Sequence, residues 1–114
     1  MKLFMATRWG NPYEAEGPNG EDTNFLVRAS SLEDVARLAE DLLMCWPQSI
    51  GENRPVESHI HCIRQIGEDT TSELPSVIHG PWIAASIVRD SNFKMWLRDG
   101  PNGEWIDASE ELQT

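Results

Sequence analysis

Three histidines offer the most direct chemistry in this chain of 114 residues: His59 and His61, one residue apart in His59-Ile60-His61-Cys62, and His79 in His79-Gly80-Pro81-Trp82. On a strand, residues two apart project from one face, so His59 and His61 come within reach of a single ion. Neutral imidazole suits zinc, nickel or copper. A structural zinc site wants four ligands and a catalytic one three plus water. Cys62 points to the opposite face, so His79 or a loop carboxylate such as Glu68 or Asp69 would have to complete the set. No CxxC or HExxH accompanies these residues. Two surface histidines on a polar strand face account for the same pattern without a metal.

Other reaction chemistry finds little support. The chain has no GxSxG elbow and no glycine-rich phosphate loop after a strand. Its two cysteines, Cys45 and Cys62, read as small core residues, and the carboxylate pairs Glu33-Asp34, Glu68-Asp69 and Glu110-Glu111 as solvated faces. Two tryptophans, Trp46 and Trp82, could line a small-ligand pocket between a helix and a sheet. A rigid Gly80-Pro81 turn with Trp82 anchored in the core is the favoured reading of the second of them.

Positioning these side chains calls for a sheet and one helix. Period-two alternation predicts strands over Lys2–Trp9, Thr23–Ala29 and Val56–Ile66. Ser76–Val88 could open a helix at Pro81, but its β-branched Ile83, Ile87 and Val88 favour a strand. Leu32, Val35, Ala36, Ala39, Leu42, Leu43 and Trp46 recur at helical spacing, and Ser30 with Glu33 fits a capping box. The expected helix, Ser31–Trp46, stops before Pro47.

Phe93–Arg98 and Glu104–Ala108 form a hairpin about Pro101-Asn102-Gly103. A register with Gly100 opposite Glu104 places Trp105 on the face of Phe93, Met95 and Leu97. An Asn102-Gly103 two-residue turn would flip it. The same turn chemistry appears in Gly17-Pro18-Asn19-Gly20.

The expected architecture is therefore a single α+β domain, 1–114: an antiparallel sheet of four to six strands with the helix on one face. The order is ββαβ followed by a β-meander. Residues 10–22 form an exposed loop and 109–114 a short acidic tail.

If the helix covers one side of that sheet, the other is left open. In the expected register the open side carries Arg28, His59, His61, Lys94, Trp96, Arg98 and Ile106. Tryptophan and arginine are enriched at binding hot spots. The formal net charge of −10 opposes nucleic acid and anionic lipid; it favours a basic partner, and solubility alone accounts for it equally well. No stretch is long and apolar enough to span a bilayer, and no export signal or cysteine framework is present, so the cytoplasm is the expected compartment. The leading expectation is a non-catalytic protein-interaction module, a homodimer or the partner of a basic protein, using Arg28, Lys94, Trp96, Arg98 and Ile106. No cofactor is expected, zinc at the histidines being the exception considered.

Overall fold

A computed structural model describes residues 1–10, 20–51, 55, 58–84 and 94–108. The expected loop and tail lie largely outside these residues, as does the end of the expected strand 76–88. The strands are β1 (Lys2–Arg8), β2 (Thr23–Ala29), β3 (Cys62–Glu68), β4 (Ser76–Ile83), β5 (Met95–Leu97) and β6 (Ile106–Asp107), with helix α1 (Leu32–Met44) between β2 and β3. They form one antiparallel sheet in the order β4-β2-β1-β3-β5-β6, the α+β class and chain order expected. In space β4 crosses to the far edge beside β2, so of the last three strands only β5 and β6 are neighbours.

The register lays one apolar row across the sheet. Phe25 of β2 lies opposite Ala6 of β1, Ala6 opposite Ile63 of β3, and Ile63 opposite Trp96 of β5. Val35, Ala39 and Leu43, spaced four apart on α1, close over this row with Phe4 and Val27. Each large side chain fully buried here stabilises the fold by roughly 1.5–3 kcal/mol.

The helix begins one residue later than expected. β2 continues through Ala29, Ser30 is left as the exposed hinge, and Ser31 is the N-cap, its hydroxyl accepting from the Asp34 N–H at 3.2 Å. Ser31→Ala is expected to lower stability by about 1 kcal/mol in urea denaturation, and Ser30→Ala to leave it within error. The helix ends at Met44 rather than Trp46, with the Cys45 N–H bonded to the Asp41 carbonyl.

Of the strand read over Val56–Ile66, Val56 and Glu57 lie outside the described residues; β3 runs Cys62–Glu68, and Ile60 joins the helix-side core ahead of it. The hairpin register also differs from that expected. Trp96 lies opposite Asp107 and Leu97 opposite Ile106, one residue away from a Gly100–Glu104 pairing. Such a slip inverts every side chain. Trp105 therefore joins Trp96 against the helix-side core, while Met95 and Leu97 pack with Cys62 and Ala108 on the other face.

That other face is only partly open. Thr7, Asn24, Cys62, Arg64 and Met95 all lie on it and are buried. The Thr7 hydroxyl donates to Asn24 Oδ1 at 2.9 Å, and the Asn24 amide donates to the Ala84 carbonyl.

Candidate functional site

The five residues expected to share an interaction face are divided by the sheet. Trp96 packs on the helix side, its ring centroid 6.3 Å from that of Phe4. Arg98 is on that side too, 7% exposed. Ile106, 63% exposed, belongs to the opposite face with Leu97, and Lys94 is exposed just before β5. Arg28 is also on the opposite face but is fully engaged. Its Nε donates to the Leu74 carbonyl, Nη1 to Asp69 and Nη2 to the Ser76 hydroxyl.

The histidines do not converge either. The His59 and His61 rings are 4.2 Å apart, whereas His79 lies on β4, three strand spacings or about 14 Å from β3. Its ring instead meets Trp82 at 5.2 Å. Among the described residues no group of three or more His, Cys, Asp or Glu is placed to hold a metal ion. The expected ligand pocket fails for a similar reason. Trp46 packs against the helix-side core, while Trp82 lies opposite Asn24 on the other face. Burial pushes the Cys62 thiol pKa up, with Arg64 opposing and Asp22 reinforcing the shift. This thiol is a protonated core group rather than a nucleophile.

Asp69 fastens the turn after β3. The Thr71 hydroxyl, the Thr71 N–H and Arg28 hold its carboxyl pKa down, from 3.8 to about 2. A depressed carboxyl contributes stability that is complete above the ordinary value and is lost as pH falls through the folded one. Stability measured by urea denaturation is therefore expected to fall between about pH 4 and pH 2. In Asp69→Asn that part of the acid dependence disappears.

The described residues do form a concave site, between α1 and the turn joining β5 to β6. It is a cleft of about 780 Å³. Leu32 and Ala36 give it an apolar floor, Glu33, Arg37, Glu40 and Asp41 one wall, and the 101–105 segment the other. Arg98 bolts the two walls together. Its Nε and Nη2 donate to the Ile60 carbonyl at 3.2 and 2.8 Å, Nη1 to the Pro101 carbonyl at 3.2 Å, and Nη2 to the Glu40 carboxylate at 3.3 Å. The guanidinium carbon also lies 4.3 Å from the Trp105 ring centroid. The Gly103 N–H closes the turn onto the Gly100 carbonyl.

With Arg98 committed to these contacts, Arg37 is the one other cation among the described lining residues, against Glu33, Asp41 and Glu104, and it leans on Asp34 at 3.3 Å. Among the described residues no Ser, Thr, Cys, His or Lys lines the cleft. Its carboxylates suit it to holding a cation.

Sequence reading singled out Arg98 but missed its partners. Glu33, Arg37, Glu40 and Asp41 stand at i, i+4, i+7 and i+8, a legible second stripe on the helix that resembles any solvated face. Pro101-Asn102-Gly103 was legible as a turn but not as a wall. Comparison of the chain with protein-family models, with curated proteins and with solved structures finds no match.

Proposed function

We propose that the chain is a non-catalytic protein-interaction module that receives a basic segment of a partner protein in the cleft between α1 and the β5–β6 turn. The observation that carries this reading is the cleft itself: a concave surface with an apolar floor, Trp105 in its wall, and carboxylates in excess of cations. The net charge of −10 draws a basic partner in and opposes a second copy of the same chain. Pairing through the sheet edges is disfavoured as well. Edge strand β4 is interrupted by Pro81 and β6 has two residues. No described helix is long and apolar enough to cross a membrane. A cytoplasmic setting fits the two free thiols, Cys45 exposed and Cys62 buried.

Titration of the isotope-labelled chain with an oligo-arginine peptide at low salt tests this. Backbone shifts are expected at Glu33, Asp41, Glu104 and Trp105, with affinity falling as salt rises. Glu33→Gln with Asp41→Asn, both on the exposed side of α1, is expected to weaken binding about tenfold without loss of fold. Shifts confined to other surfaces, or no binding at low salt, would sink the proposal.

A further inference from the structure

Three rings meet where β1 leaves the sheet. Trp9, the residue after β1, is 41% exposed, and its indole lies nearly parallel to the His61 imidazole, with centroids 5.0 Å apart and 12° between planes. The His59 ring lies 4.2 Å from that of His61 as well. His61 is pinned through its own backbone, its N–H donating to the Thr7 carbonyl and its carbonyl accepting from the Arg98 N–H. The Trp9 backbone N–H, in turn, donates to His61 Nδ1 at 3.0 Å. A ring nitrogen that accepts carries no proton, so neutral His61 has its proton on Nε2, and titration adds the second proton at Nδ1.

We propose that this contact is a proton-sensitive latch on the end of β1: neutral His61 holds Trp9, and protonation at Nδ1 releases it. The added proton sets two N–H groups against each other across a gap that fits one hydrogen bond. His61 is buried and tied by its backbone on both sides, whereas Trp9 stands outside the strand and is already open to water, so Trp9 is the partner that moves. The charged and titratable groups described around the latch are His59 beside the ring, Arg8 at the end of β1, Arg98, whose backbone N–H donates to the His61 carbonyl, and Asp22, which bonds the Gly10 N–H. The Asp22 carboxylate accepts the Gly10 N–H at 3.0 Å and so anchors the chain just beyond Trp9, which confines the release to that residue.

The test follows the Trp9 amide and the His61 ring nitrogens by NMR in the full chain from about pH 8 to pH 5, the range in which histidine titrates. The His61 ring is expected to pass from the Nε2–H tautomer to imidazolium. Through the same midpoint the exchange protection of the Trp9 amide should fall about tenfold, as one hydrogen bond is lost. His61→Gln offers an acceptor that cannot titrate and should remove the pH dependence. His59→Gln should retain it. A Trp9 amide that keeps its protection while His61 titrates would overturn the latch. So would an unchanged midpoint in His61→Gln, and the wild-type titration decides the matter even if that variant fails to fold.

Discussion

Arg98→Ala is expected to destabilise the protein by about 3–5 kcal/mol, the range for removing one partner of a buried charged network. The residue is 7% exposed and serves the Ile60 carbonyl, the Pro101 carbonyl, the Glu40 carboxylate and the Trp105 ring at once. Truncation leaves the buried Ile60 carbonyl without two donors and Glu40 without its counter-charge, and it lets the β5–β6 turn swing away from α1. Out of a total stability on the order of 5–15 kcal/mol this is a large share, and it should lower Tm by about 10–20 °C. Arg98→Lys keeps the charge but not the planar fork that reaches two carbonyls and a carboxylate together, so it should fall between wild type and Ala. A loss below about 1 kcal/mol in urea denaturation would show that the turn is held by something other than Arg98. Because the same side chain joins both walls of the cleft, the Ala variant should lose peptide binding as well, whereas Glu33→Gln with Asp41→Asn should lose binding alone.

Gly80→Ala is the second large effect, expected at about 2–4 kcal/mol. Gly80 sits on β4 at φ +113, a conformation that costs an L side chain about 1–3 kcal/mol. A Cβ there would also stand 2.7 Å from the Asn24 carbonyl oxygen and 3.0 Å from the Phe25 Cα, both backbone atoms of β2 that cannot rotate aside. Gly51 provides the control, with φ +114 but nothing within 4 Å of a new Cβ. Gly51→Ala should therefore cost only the conformational part. If the two variants lose equal stability by urea denaturation, the close approach of β4 to β2 contributes nothing, and the second half of the argument fails.

Both predictions concern residues that were visible in the sequence for other reasons. Gly80 was legible as part of a Gly-Pro turn, and what it touches was not, because β4 lies beside β2 through a crossover from β3 that no local pattern encodes. Arg98 was legible as an arginine near Trp96, but both were assigned to an open face. β5 is three residues long, and Met95, Trp96 and Leu97 are all apolar, so alternation cannot say which side faces the helix. Tertiary contact decides it. Ile63 presents its large side chain toward α1 and takes Trp96 as its neighbour in that layer, while Cys62 takes Leu97 in the other. The histidines illustrate the same limit. The His59 and His61 rings do lie close, but ahead of β3 rather than on a shared strand face, and the distance to His79 depends on strand order.

By itself the sequence determined the class, the order of elements, the amphipathic helix and the Pro-Asn-Gly turn. These follow from local rules: 3.6-residue and two-residue periodicity, and the backbone preferences of Pro, Gly and Asn. Only the tertiary structure decided which face of the sheet is which, where β4 pairs, and that helix carboxylates and a hairpin turn would enclose a cleft. Those outcomes depend on register and strand order, where a one-residue slip reverses a whole strand and the partners are set by packing between segments distant in sequence.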